Sequence, residues 1–250
     1  MNDAALLEAL KTAMPVDMVP YAGGKNTGMI LVDLVNGFCK PGMGNLAPPP
    51  GERPPAIAEM VRVSNALARQ FADGGRSVVA LLDTHEPGVA EPPYPPHCER
   101  GSGEELLIEE LSWLPGHLFG LTFEKDCING FIGLSERQNS RNILVEWVNR
   151  MKIETIVVCG ICTDICTSDL VTTLLSARNH KTDDKNPLMP SLREVVVHAT
   201  GNATYDLPRH VAEQIGLPAT AAHPAAIAHH IGLWTMQARG AIIASSVDGI

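Results

Sequence analysis

The chain has 250 residues, 45% of them apolar and 19% charged, with a net charge of −9 at pH 7. That composition suits one soluble domain large enough to bury a core, and the acidic balance without a basic stripe argues against nucleic acid and membrane surfaces as partners. No apolar run reaches membrane-spanning length, and six cysteines in a chain this long fit a reducing compartment, the cytosol, better than a disulfide framework.

The opening stretch "MNDAALLEALKTAM" is amphipathic and lacks the basic start and apolar centre of a secretory signal. It reads as part of a helical extension over residues 1–24, available to pack on a neighbouring subunit. Met29 to Leu34 reads as a buried strand. Apolar residues then recur at helical spacing through Ile57, Met60, Val61, Leu67, Ala68 and Phe71, until Asp73-Gly74-Gly75 stops the helix. Ser77 to Asp83 is the next strand, followed by a long loop to about Glu104 and a short helix. Strands are expected at His117 to Lys125, Thr155 to Gly160 and Arg193 to Ala199. Helices are expected at Asn142 to Met151, Asp164 to Asn179, Pro208 to Ile215 and Ala225 to Met236. Strands alternating with helices imply a parallel sheet covered on both faces, with ligands beyond the carboxyl ends of the strands. Asp33, Asp83, Lys125 and a cysteine cluster fall at or just after four strand ends.

After Asp83 comes "DTHEPGVAEPPYPPHCERG", which spaces Asp83, His85, Glu91 and His97 by two, six and six residues. Two imidazoles and two carboxylates suit a divalent ion of borderline-to-hard character: zinc, manganese or iron. Lacking thiolates, such a site would keep open positions for water or substrate. The alternative is a polar surface loop with no ligand. Cys98 is either a further ligand or a small buried apolar residue.

The stretch "VVCGICTDIC" holds Cys159, Cys162 and Cys166. "CGIC" has the form of a redox pair. Cys159, however, ends a β-branched run and belongs inside a strand, and no second CxxC exists to complete a thiolate metal knot. Thr163 is a suitable N-cap and Asp164 suits a first helical turn, which would put Cys166 where a helix N-terminus lowers a thiol's pKa. From these residues alone, Cys166 is either a nucleophile or a packed helix residue.

Asp33, Lys125 and Cys166 in that order, together with "VDLVNGFC", "PYPPHC", "KDCINGF", "GICTDIC" and "LLSARNH", resemble the isochorismatase-like cysteine hydrolases, and within them the nicotinamidases of the plant-type branch. The resemblance spans roughly residues 25 to 240 and implies a single doubly wound α/β domain, mostly parallel, with helices on both faces. It implies Cys166 as nucleophile, Asp33 as acid/base and Lys125 as its cationic partner. It also implies an oxyanion hole from the amides of Cys162 and Cys166, with a cis peptide at Ile161–Cys162. The metal ligands would be Asp83, His85, Glu91 and His97, holding one divalent ion, zinc first among the options. Some members carry a histidine where this chain has Glu91. Phe38 and Tyr94 match pocket aromatics that would flank a nicotinamide ring. The chain departs from many microbial members at "DLVNGF", with Val35 and Gly37. The implied reaction is hydrolysis of nicotinamide to nicotinate and ammonia through a thioester, in a cytoplasmic enzyme, with homo-oligomers common in the family. The rival readings are another amidase of the same superfamily, acting on a carbamoyl or maleamate-like substrate, and a non-catalytic CxxC redox or binding protein.

Overall fold

Short β-branched runs flanked by turn residues form the strands, and stripes at helical spacing form the helices that cover them. The computed structural model describes residues 2–89, 91–136, 141–183 and 185–249. The strands are β1 (Met18–Ala22), β2 (Thr27–Val32), β3 (Val78–Asp83), β4 (Gly120–Lys125), β5 (Ser135–Glu136), β6 (Arg141–Asn142), β7 (Thr155–Ile161), β8 (Glu194–Ala203) and β9 (Ile242–Asp248). Seven of them make one parallel sheet in the order β1-β9-β8-β7-β2-β3-β4, while β5 and β6 form a small antiparallel ribbon. The helices are α1 (Asp3–Ala13), α2 (Asn36–Cys39), α3 (Pro55–Asp73), α4 (Gly130–Gly133), α5 (Ile143–Met151), α6 (Ser168–Asn179), α7 (Arg209–Gln214) and α8 (Ala225–Ala238).

Alternation along each central strand sends side chains to two separate cores. Ile30, Val32, Val79, Leu81, Ile156 and Val158 face the layer of α5, α6 and α8. Met29, Leu31, Val78, Ala80 and Val157 face α3, whose predicted stripe from Ile57 to Phe71 is wholly buried. Proline occupies the first position of α3, and Gly74 ends the helix as expected. On α5, Asn142 caps the helix by accepting from the Val145 amide at 3.1 Å, and Leu144, Trp147 and Val148 are buried, with Ile143 only partly so. The loop after Asp83 is longer than expected before regular structure returns, and the short helix is two 3-10 turns at Glu109–Leu111 and Leu114–Gly116.

Two further segments differ from the sequence reading. The region before residue 24 contributes an edge strand as well as a helix: β1 pairs with β9. Helix α1 buries no side chain and rests on α8 of its own chain, where His230 Nε2 lies 3.0 Å from the Met14 carbonyl. The helix expected from Asp164 starts one residue earlier as a π-helical turn, Thr163–Thr167, and continues as α6. No helix among the described residues is long and apolar enough to cross a membrane.

Candidate active site and metal centre

Parallel pairing stacks β7, β2, β3 and β4 side by side, so their carboxyl ends open along one edge. Asp33 follows β2, Asp83 and Lys125 close β3 and β4 as direct cross-strand partners, and the π-helical turn with Cys166 follows β7. These side chains, far apart in sequence, are brought together where parallel α/β sheets bind ligands.

Lys125 is the hinge of the arrangement. Its side chain is fully buried, with Nζ 2.7 Å from Asp83 Oδ1, 3.0 Å from Asp33 Oδ2 and 3.0 Å from the Cys127 carbonyl. Burial would discharge it, but the carboxylates of Asp33 and Asp83 hold its pKa well above the ordinary lysine value. Asp33 is also fully buried, and neither of its oxygens has an aligned hydrogen-bond donor. Burial pushes its pKa up to about 7, against the opposing pull of Lys125 and with a further push from Asp83. Its backbone is in the left-handed region at φ 54°, rare for a side chain other than glycine and frequent at functional positions.

Cys166 is partly buried beside this pair. Burial opposes the lowering of its thiol pKa expected from the helix N-terminus. Desolvation raises the thiol well above its ordinary value, with Lys125 opposing and Asp33 and Cys162 adding to the rise. The resting sulfur is therefore a protonated thiol facing a carboxyl group able to take its proton. Thr163 does not act as the expected N-cap, since the cap position belongs to Cys162 and Thr163 is buried. The Ile161–Cys162 peptide is cis, as the resemblance implied. Cys159 is fully buried in β7 with its thiol pushed up to about 12, and all six cysteines are free. A sulfur enclosed in the sheet is poorly placed for thiol–disulfide exchange, which needs access.

Asp83, His85, Glu91 and His97 converge, each offering one donor atom, with all four atoms within 4.8 Å of one another. Asp83 Oδ2 lies 3.2 Å from His85 Nε2 and 3.1 Å from His97 Nε2, and Glu91 Oε2 lies 3.5 and 3.6 Å from the same nitrogens. Four donors about 2.1 Å from a tetrahedral zinc would be about 3.4 Å apart, so the set fits a divalent ion. The outer contacts also fit. His97 Nδ1 lies 2.8 Å from the Pro95 carbonyl, leaving Nε2 to point inward, and Glu91 Oε1 accepts from the Ile128 amide at 2.8 Å. Burial alone would raise Asp83, yet Lys125 and the two histidines hold it well below the carboxylate range. Cys98 is not one of the four donors. It is buried, with its thiol driven upward by desolvation.

Phe38 and Tyr94 both border the donor set, with ring centroids 5.7 and 6.0 Å from that of His97. Two histidines from the C-terminal quarter of the chain, His223 and His229, reach the turn that carries Cys166. The structure bonds His223 to Asp164 and His229 to Thr163, at 2.8 Å each. Asp206 accepts from the Ala225 amide at the start of α8.

Fold and constellation together define a parallel α/β domain with a thiol, an acid and a lysine at the sheet's carboxyl edge, beside four side chains able to hold a metal ion. Residues 27–184 match the isochorismatase domain model. The chain is 42% identical over 250 residues to Nicotinamidase 1 of Arabidopsis thaliana, covering 99% of this chain and 98% of that one. Among solved structures it is similar to the nicotinamidase PncA of Bacillus subtilis, with a TM-score of 0.61 and 19% identity over 88% of this chain and 99% of that one. It is also similar to the pyrazinamidase of Pyrococcus horikoshii in complex with zinc, with a TM-score of 0.57 and 16% identity over 87% of this chain and 98% of that one. The chain belongs to the isochorismatase domain family.

Proposed function

We propose that this protein is a metal-assisted cysteine amidohydrolase that converts nicotinamide to nicotinate and ammonia through a thioester on Cys166. The observation that carries the reading is the buried Lys125, which joins the acid of the thiol site to a carboxylate of the metal set. The 42% identity to a curated nicotinamidase over nearly all of both chains supports the substrate.

Asp33 accepts the proton of Cys166, and Lys125 stabilises the resulting thiolate. The sulfur attacks the amide carbon, and the oxyanion lies against the backbone amides of Cys162 and Cys166. The tetrahedral adduct collapses as Asp33 returns its proton to the departing nitrogen, and ammonia leaves. Asp33 then takes a proton from water, whose oxygen attacks the thioester, releasing nicotinate and restoring the thiol. Phe38 and Tyr94 flank the ring. A divalent ion held by Asp83, His85, Glu91 and His97 would supply a Lewis-acid anchor for the ring nitrogen. Zinc is the ion proposed: the donor set suits a divalent ion, and the zinc complex of the pyrazinamidase neighbour supports the choice.

The cytosol is the assigned compartment, since six free thiols suit reducing conditions, and a homo-oligomer is the assigned assembly. The test is ammonia release from nicotinamide by purified protein of measured metal content, beside carbamoyl and maleamate-like amides. Preference for nicotinamide is expected. Preference for an amide without a ring nitrogen would replace this substrate with its rival.

A further inference from the structure

The mechanism requires the turn from Cys162 to Cys166 to hold a nucleophile and two amides in register, yet none of its own side chains acts as a cap for that turn. Its support comes from the far end of the chain. Asp164 Oδ2 lies 2.8 Å from His223 Nε2, and His223 Nδ1 lies 2.9 Å from the Tyr205 carbonyl. The Tyr205 ring stacks on the His223 ring, with centroids 3.9 Å apart and planes at 13°. His223 is fixed on the backbone side as well, exchanging two hydrogen bonds with Leu207. One residue earlier in the turn, Thr163 Oγ1 lies 2.8 Å from His229 Nδ1 on α8. Between these anchors α8 presses Gly232 onto the turn so closely that a Cβ there would lie 2.9 Å from Asp164 Cα.

We propose that His223 and His229 are positioning residues that hold the nucleophile turn from outside, His223 through Asp164 and His229 through Thr163. The proposal rests on Cys166 as nucleophile and extends it. Neither histidine is within the thiol, acid or metal set; each acts through a neighbour of the groups that do chemistry. Ionic state agrees with this arrangement. Burial opposes charge on both partners, but their mutual bond lowers the Asp164 pKa and raises that of His223. His229 is pushed down to about 4 by burial, so it meets Thr163 as a neutral imidazole.

The division of labour in the site gives the proposal a distinctive signature. The four donors and Tyr94 lie on the segment from Asp83 to His97, and Phe38 on α2, whereas the turn follows β7. Loosening the turn should therefore damage the chemical step and leave substrate binding alone. A displacement of about 1 Å can cost about a hundredfold in rate. His223→Leu keeps an apolar body beneath Tyr205 but loses both polar contacts; it is expected to lower kcat about a hundredfold, with KM within about threefold of wild type. His223→Gln retains a donor for Asp164 and should recover at least about tenfold of that loss. Thr163→Val removes only a hydroxyl and should lower kcat about tenfold, again with KM unchanged.

The kinetics are run well below the melting temperature of each variant, beside amide hydrogen exchange over residues 162–167, which needs no substrate. Faster exchange confined to that segment in His223→Leu and Thr163→Val is expected. Wild-type kcat in folded Thr163→Val, a rise in KM matching the fall in kcat, or unchanged exchange would overturn the positioning role. If His223→Leu fails to fold, the same measurements on Asp164→Asn decide for His223, and Thr163→Val decides for His229. A wild-type protein without amidase activity would instead refute the proposed function, and the exchange measurement would still judge the anchors.

Discussion

Replacing Lys125 with methionine is the sharpest perturbation available, because two buried carboxylates share its ammonium. The lysine and Asp33 side chains are fully buried and Asp83 is 2% exposed, so solvent screens little of what is lost. Removing one partner of a buried ion pair costs about 3–5 kcal/mol, since it strands an uncompensated charge. For a domain of this size that corresponds to a fall of roughly 6–20 °C in melting temperature. The sign of the pH dependence follows from Asp33. Its folded pKa of about 7 stands above the ordinary 3.8, so the folded chain binds more protons between those values. Stability contributed by this group is complete below about 4 and is lost as pH rises toward 7. Without Lys125 the carboxyl rises further, and the loss extends into the alkaline range. Thermal melts of Lys125→Met, Asp33→Asn and the double variant between pH 6 and 9 form a double-mutant cycle. The second change removes the charge that the first stranded, so a coupling of at least about 1.5 kcal/mol is expected. Additivity within about 0.5 kcal/mol, or a variant whose deficit does not grow with pH, would refute the reasoning.

Cys166→Ala should abolish ammonia release while leaving the melting temperature within a few degrees of wild type; retained turnover in an ammonia assay would end the nucleophile role. Glu91→Ala removes one of four converging donors, so bound metal measured by elemental analysis should fall and KM for nicotinamide should rise; unchanged metal content would mean the ligand set is wrong. Because Asp33 must be ionised to accept a proton and its pKa lies near 7, kcat/KM should drop about tenfold per unit as pH falls below that value. An acid limb centred near 4 would assign the base to another group.

The interior of the fold was readable because its strands are buried on both faces and present unbroken apolar runs, as at Met29 to Val32 and Val78 to Leu81. The edge strand β1 and its neighbour β9 were not. "MVPYA" is short, contains a proline and is mostly exposed, and "IIASSVD" mixes small polar residues into its pattern, so neither stood out as a strand. The four strand-end positions drew attention because acid, lysine and thiol chemistry sat at the carboxyl ends of predicted strands. The local rule for Cys166 left out its surroundings: a helix N-terminus favours the thiolate, but burial of the sulfur pushes its pKa up, and burial depends on elements far away in the chain. Nothing near His223 or His229 signalled a role, since their partners lie 59 and 66 residues away in the chain. Such pairs exist only once the last helix has docked.

Four reactive positions set across four neighbouring strands use the sheet as a ruler. The pitch between strands, about 4.8 Å, and the alternation of side chains along each fix the spacing of acid, lysine, carboxylate and thiol turn before any side chain chooses a rotamer. Asp83 and Lys125 meet because they are directly opposed in the β3–β4 register. A one-residue slip of β4 would turn Leu121, Phe123 and Lys125 together to the other face. Insertions are thus tolerable in the loops that follow the strands but not within them, and variation in this chain's chemistry has to come from the loops.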